Sequence, residues 1–329
     1  MRMPALKLSA FWICAAVVVL LGIAVTIFDV FAINTFIYFA AYVVLQYVVL
    51  ATAWNIMGGY MGYVNFGTAG FFAVGAYASV ALYNLIQAPL ALMIPFSGVV
   101  CALLGLAMGY LTLRLRGVFF AIATLAMAIV LETMILNWDY VGGATGAYIL
   151  REREMAPFGD YVEFLFFVML LLAIFAVAVA RWLERSKTGR GFGAIRDDEV
   201  AAECAGVPTL RLKLIATTVS GFLMGVAGAP FALYVGFIEP SSAFNLIYAV
   251  NAIAMPMIGG ATTWLGPLIG ALLLGTVQQV ATVTISSELN LLIVGVVLVF
   301  FVIVAPEGIV GLLRKWWRPR KWWRPRNDR

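Results

Sequence analysis

Long apolar runs divide this chain, and they leave it few ways to fold. Ten runs are read from the sequence, at 9–28, 33–57, 64–86, 89–113, 117–137, 161–182, 212–236, 243–259, 265–285 and 289–305. A helical run of about 20 residues matches the hydrocarbon core of a bilayer. None shows the ten-residue alternation of a membrane-barrel strand. Soluble domains are about half apolar and about a quarter charged; here 64% of residues are hydrophobic and 11% charged. The expected fold is therefore an all-α integral membrane protein, a single polytopic bundle of about ten transmembrane helices over residues 1–329. The first run, Ser9 to Phe28, is read as a retained span. Its core is too long for a signal peptide and no small-residue cleavage site follows it.

Charge orients the bundle. When the runs alternate sides, nineteen of the 21 Lys and Arg fall on one side, and only Arg151 and Arg153 on the other. Positive charge near span ends stays cytoplasmic, so both termini are expected inside. The net charge of +5 is this topology signal and carries no message about nucleic acid. Connections such as 29–32, 86–89 and 286–288 are too short to hold a soluble catalytic domain. Two longer ones stand out. The outer loop 138–160 carries Gly142, Gly143, Gly146 and the run Arg151-Glu-Arg-Glu154, and is read as a short surface helix. The cytoplasmic loop 183–211 concentrates charge in the middle of the chain. The tail 314–329 repeats Lys-Trp-Trp-Arg-Pro-Arg twice, at 315–320 and 321–326, a composition suited to anchoring at an anionic lipid interface.

The chain has no His, which excludes imidazole metal ligands, His bases and His proton relays. Its three cysteines, Cys14, Cys101 and Cys204, form no metal or disulfide framework. No metal site and no catalytic residue are expected. Glycines four apart, as in Gly58/Gly62, Gly105/Gly109, Gly221/Gly225 and Gly266/Gly270, suit close helix packing. Two uncharged glycine clusters, 58–68 and 259–267, interrupt the apolar pattern. Such interruptions fit either tight turns between spans or broken helices along a substrate path.

Within the cytoplasmic loop, Asp197 and Asp198 suit a helix start, where free N–H groups favour carboxylates. Residues 199–205 tolerate helix, Gly206 suits a C-terminal cap, and Pro208 blocks continuation. A helix of about two turns is too short to stand alone, and it is expected to lie on a surface. The preceding Gly189-Arg-Gly-Phe-Gly193 lacks Walker spacing and a preceding strand. It is read as a flexible lead-in.

The segment Gly193-Ala-Ile-Arg-Asp-Asp-Glu-Val-Ala-Ala-Glu-Cys-Ala-Gly-Val-Pro208, followed by a basic residue and a new span, resembles the coupling loop of ABC importer permeases. It most resembles the branched-chain amino acid permeases of the LivM type. Ala201-Ala202, three residues, then Gly206 is similar to their E-A-A-x-x-x-G signature. Here Val200 stands in place of the signature Glu, with Glu199 one position early. Trp54 to Tyr77, Leu113 to Ala126, Ile258 to Pro267 and Ala305 to Gly311 are similar to further family segments in type and order. Position 68, often His in the family, is Thr. The resemblance covers roughly residues 33–313.

This resemblance implies the permease subunit of an ATP-driven importer in a bacterial cytoplasmic membrane, for branched-chain or related hydrophobic amino acids. It implies a second homologous permease, two cytoplasmic ATPase subunits and a periplasmic binding protein as partners. ATP and Mg would sit on the ATPases, with no cofactor on this chain. Arg196, Asp197, Asp198, Glu199, Ala201, Ala202 and Gly206 would form the ATPase contact. Asn55, Asn65, Thr68 and Asn251 are candidate neutral polar groups along the substrate path. Urea, amides, aromatic acids or a sugar are alternative substrates within the superfamily. An ion-coupled secondary transporter is the competing class, as is a scaffold without substrate. A central ionisable group costs about 2.5–3.5 kcal/mol and marks many such transporters. Here the acidic residues within expected spans are Glu132 and Glu163, each near an outer end.

Overall fold

The computed structural model describes residues 35–112, 115, 117–149, 161–284 and 308–317, with isolated positions 292, 295, 296 and 299. The expected span 9–28, nearly all of span 289–305, and most of the tail 314–329 lie outside the described residues. Among the described residues, eight helical segments are long and apolar enough to cross a membrane. They are α1 (Thr35–Met61), α2 (Thr68–Ile86), α3 (Leu90–Thr112), α4 (Val118–Leu136), α5 (Tyr161–Arg185), α8 (Thr209–Val235), the pair α9 (Pro240–Ala243) and α10 (Leu246–Gly259), and α11 (Leu265–Thr284). Between α5 and α8 lie two shorter helices, α6 (Lys187–Asp197) and α7 (Glu199–Cys204); α12 (Gly308–Trp317) closes the described chain.

Lipid tails are as apolar as leucine, so close packing rather than water exclusion holds such helices together. The glycine spacing supplies that closeness where α2, α3 and α8 meet. A Cβ on Gly105 would lie 2.6 Å from the Thr217 carbonyl oxygen, and one on Gly221 would lie 2.7 Å from the Cys101 carbonyl oxygen. Ser220 of α8 donates to the Ala53 carbonyl of α1 at 2.8 Å, which ties α1 to the same core. Aromatic contacts fill the wider gaps: Tyr42 stacks on Tyr234 with centroids 4.2 Å apart, and Phe72 lies 4.8 Å from Phe231.

At one end of the bundle the described part of the outer loop, residues 138–149, holds no α-helix; its remainder, 150–160 with the Arg151-Glu-Arg-Glu154 run, lies outside the described residues. The described part forms 3-10 turns at Asp139–Val141 and Gly143–Thr145, then strand β1 (Ala147–Tyr148). Gly142, Gly143 and Gly146 adopt φ of +91°, +49° and +77°, a backbone that glycine enters freely and that ends a right-handed helix. β1 pairs antiparallel with β2 (Phe237–Ile238), Ala147 opposite Ile238. The Tyr77 hydroxyl donates to the Ile238 carbonyl at 3.4 Å, fastening this pair to α2.

The other end carries α6 and α7. The Gly189–Gly193 stretch, expected as a flexible lead-in, is the body of α6. Ser186 caps it, accepting the Gly189 N–H at 3.1 Å. Phe192 and Ile195, three residues apart on one face, are buried, and that burial outweighs the low helix propensity of glycine. Gly191 packs against the tip of Leu212, where a Cβ would lie 2.5 Å from Leu212 Cδ1.

Candidate functional site

Two glycine-rich connections meet the α6–α7 loop at this end. Residues 62–67 join α1 to α2, and residues 260–264 join α10 to α11. α1 runs through Gly58 and Gly59 before it stops at Met61. The connections touch: Asn55 Nδ2 donates to the Thr263 carbonyl at 3.4 Å, and a side chain on Gly59 would collide with the Ala261 carbonyl.

One carboxylate holds each connection. Glu184, in the last turn of α5, accepts the Trp264 N–H at 2.7 Å and faces the Tyr60 hydroxyl at 3.5 Å. Arg181, one turn earlier, lays its guanidinium 5.2 Å from the Trp264 ring centroid. Glu199, the first residue of α7, accepts from the Tyr63 hydroxyl and from the Lys213 ammonium at 2.5 Å. The ammonium also sits 4.5 Å from the Tyr63 ring centroid. The Lys213 side chain is 2% exposed and that of Glu199 12%. A charge so buried is tolerated because an opposite charge and an aromatic face compensate it. Tyr63 in turn meets Phe120 of α4 edge-on at 5.2 Å. Arg196 adds a weaker tie, donating to the Gly59 carbonyl at 3.4 Å.

Local chemistry defines α7 at both ends. Asp198 Oδ1 accepts the N–H groups of Val200 at 2.9 Å and Ala201 at 3.0 Å. At the far end Gly206 has φ +82°. Its N–H reaches the Glu203 carbonyl at 2.9 Å, and the Val207 N–H reaches the Ala202 carbonyl at 3.0 Å. This pair of bonds is the Schellman closure, which needs the left-handed residue that glycine provides. Glu203 Oε1 then accepts the Thr209 hydroxyl at 2.7 Å, joining α7 to the start of α8.

The expected contact set divides by face. Arg196, Asp197, Asp198, Ala201 and Gly206 are exposed. Glu199 and Ala202 differ from expectation: Glu199 turns inward to Tyr63 and Lys213, and Ala202 is 5% exposed. Asp197 ends α6 rather than starting α7. Val200, at the position of the signature Glu, is exposed.

The four neutral polar candidates do not form one group. Asn65 Oδ1 accepts the Gly67 N–H at 2.7 Å, and its carbonyl accepts the Trp54 indole N–H at 2.9 Å. Thr68 donates to that same carbonyl at 3.5 Å, so both residues shape the start of α2. Asn55 braces the second connection. Asn251 stands apart, its Oδ1 accepting from Gln278 Nε2 at 2.8 Å. Asn251 Nδ2 and Gln278 Oε1 make no hydrogen bond within 3.5 Å among the described residues, with the Tyr47 hydroxyl beside the Asn251 amide, and both residues are 1% exposed.

Glu184, Tyr63, Lys213, Trp264 and Gln278 escape sequence reasoning. Lys213 reads there only as a topology marker. The signal for Tyr63 is an aromatic residue within a glycine-rich connection, where the pliant backbone can present it to a carboxylate; Trp264 offers its backbone N–H to Glu184 and its ring to Arg181.

The family model described as "Branched-chain amino acid transport system / permease component" matches residues 36–302. The permease protein LivM of a high-affinity branched-chain amino acid transport system in Salmonella typhimurium is 29% identical over 293 residues, which is 82% of this chain and 68% of LivM. LivH, the permease protein of a system with the same description in that organism, is 22% identical over 291 residues, 80% of this chain and 91% of LivH. The autoinducer 2 import system permease LsrC of an Enterobacter species is 31% identical over 115 residues, 33% of this chain and 34% of LsrC. The family match spans most of the membrane bundle, both glycine-rich connections and the whole α6–α7 loop. The chain belongs to the family of permease components of branched-chain amino acid transport systems, as the membrane-spanning subunit of an ABC importer.

Proposed function

We propose that this subunit imports branched-chain or related hydrophobic amino acids, and that α6 and α7 form the cytoplasmic surface on which an ABC ATPase docks. The observation that carries the docking is the division of faces on α7. Glu199 and Ala202 are held inward, while Asp198, Val200, Ala201 and Gly206 are left exposed. A helix of six residues cannot persist alone. Anchored on one side, it presents a small, partly apolar face that suits a groove on a partner.

Permeases of this family work with ATPase and substrate-binding components. We assign two ATPases, one extracytoplasmic binding protein and a second homologous permease. LivM and LivH, similar to this chain and sharing one system description, support the paired permease. ATP and Mg belong to the ATPases in this reading, and this chain supplies neither a catalytic group nor a cofactor site. The nineteen basic residues on the loop side favour a cytoplasmic α6–α7 loop and cytoplasmic termini in a bacterial inner membrane.

For the path we retain Asn251 with Gln278. A single bond between two amides leaves one amide nitrogen and one amide oxygen wholly unbonded, whichever way the amides are turned. That combination complements a zwitterion, the donor for a carboxylate and the acceptor for an ammonium. Asn65 and Thr68 are engaged in shaping the first connection, whereas Asn55 bonds the second through Nδ2 and keeps a buried Oδ1 without a hydrogen-bond partner among the described residues.

The test is purification of the tagged chain from its native membrane in mild detergent, with mass spectrometry of the co-purifying subunits. Uptake of labelled leucine by the reconstituted complex follows. A second permease, ABC ATPases and ATP-dependent leucine uptake are expected. Recovery of the chain alone after crosslinking would return the ion-coupled class to first place. Uptake of a urea, amide, aromatic acid or sugar instead would move the substrate and keep the importer. The similarity to LsrC is the reason for screening them.

A further inference from the structure

The two carboxylates at the loop end of the bundle have different supports, and this difference separates their roles. Glu184 belongs to α5, a helix of 25 residues, and fastens the second glycine-rich connection through the Trp264 N–H. Glu199 belongs to α7, a helix of six residues, and fastens the first connection through Tyr63. α7 is the element offered to the ATPase, and its ion pair with Lys213 ties it to the first turns of α8. Displacement of α7 therefore pulls on Tyr63, and through the Tyr63–Phe120 contact on the start of α4. We propose that Glu199, Lys213 and Tyr63 are the link that carries ATPase movement into the first glycine-rich connection, while Glu184 and Trp264 hold the second connection still.

Glycine makes the first connection pliant, and Gly62 takes φ +81° without a side-chain penalty. The link is selective because each charge needs its partner. The buried ammonium needs the carboxylate, and removing either partner leaves an uncompensated charge.

The inference rests on the importer reading, and its test keeps the two apart. The complex as it purifies from the native membrane is reconstituted in proteoliposomes, and substrate taken up per ATP hydrolysed is measured. Glu199→Gln and Tyr63→Phe are expected to lower that ratio about five- to tenfold, the size of a typical coupling between sites, with the same subunits co-purifying. Tyr63→Phe keeps the ring over Lys213 and loses only the hydroxyl, so it serves where Glu199→Gln fails to assemble. The charge-reversed pair Glu199→Lys with Lys213→Glu is expected to recover part of the ratio. Glu184→Gln is expected to lower the melting temperature with the ratio unchanged. An unchanged ratio in Tyr63→Phe and Glu199→Gln would overturn the link, and an equal fall in Glu184→Gln would overturn the division between moving and fixed connections. A wild-type complex without ATP-driven uptake would instead refute the importer reading.

Discussion

Gly75 and Gly225 pack backbone to backbone: a Cβ on Gly75 would lie 2.5 Å from the Gly225 carbonyl oxygen. On its other side Gly225 faces α3, where its own Cβ would lie 2.6 Å from the Ser97 carbonyl. Neither neighbour is a flexible side-chain tip, so relief requires helices to separate. Gly225→Val is expected to destabilise the bundle by at least about 1–3 kcal/mol, the usual cost of overpacking. Gly193→Ala is the contrast. Its Cβ would meet nothing within 4 Å, and within helix α6 the change is expected to stabilise by about 0.5–1 kcal/mol. Melting curves of the detergent-purified complex check both signs.

Gly206 separates strain from partner contact. Its φ of +82° penalises any side chain, and a Cβ there would meet nothing within 4 Å of its own chain. Gly206→Ala therefore carries the left-handed backbone cost alone, about 1–2 kcal/mol. Gly206→Trp adds bulk that projects away from the subunit, onto the surface assigned to the ATPase. The expected result is near-normal coupling in the alanine variant and uptake uncoupled from ATP hydrolysis in the tryptophan variant, with both inserted in the membrane. Equal, wild-type uptake in both would remove the docking assignment.

What the sequence makes legible here is local or repetitive. Runs of apolar residues locate the eight described spans, because bilayer thickness sets their length. The ends of α7 are legible because caps act over three or four residues, as at Asp198 and Gly206. α6 is missed because three glycines in five residues suggest flexibility, although the buried pair Phe192 and Ile195 already has helical spacing. The links at the candidate site are out of reach for a different reason. Tyr63 and Glu199 are 136 residues apart, and Glu184 and Trp264 are 80 apart. Nothing in either local pattern names its partner. Glu199 shows the cost: its charge and position suit an exposed contact, and only the fold turns it inward.

The Asn251–Gln278 pair offers a test that distinguishes path from glue. A hydrogen bond of this kind contributes about 0.5–1.5 kcal/mol, or about two- to tenfold in an equilibrium constant. If the free donor and acceptor meet the substrate, Asn251→Ala and Gln278→Ala each raise the KM for uptake by that factor. If the pair only joins α10 to α11, as polar residues in spans commonly do, the melting temperature falls and KM stays. The second pattern would remove Asn251 from the path.

Orientation is the last expectation with a direct readout. Tyr148, on strand β1, is 77% exposed, and Arg190, on α6, is exposed at the opposite end of the bundle. Both accept a cysteine better than Gly146, where φ +77° and the nearby Ile238 carbonyl leave no room for a Cβ. In a background lacking Cys14 and Cys204, a membrane-impermeant maleimide is expected to label Tyr148→Cys in intact cells. Arg190→Cys is expected to react only after permeabilisation. The reason is electrostatic: the loop around Arg190 carries Arg185, Lys187, Arg196 and Arg211 close to span ends, and such clusters resist translocation. Labelling of both positions in intact cells would break the alternation of spans on which the cytoplasmic assignment of α6 and α7 depends.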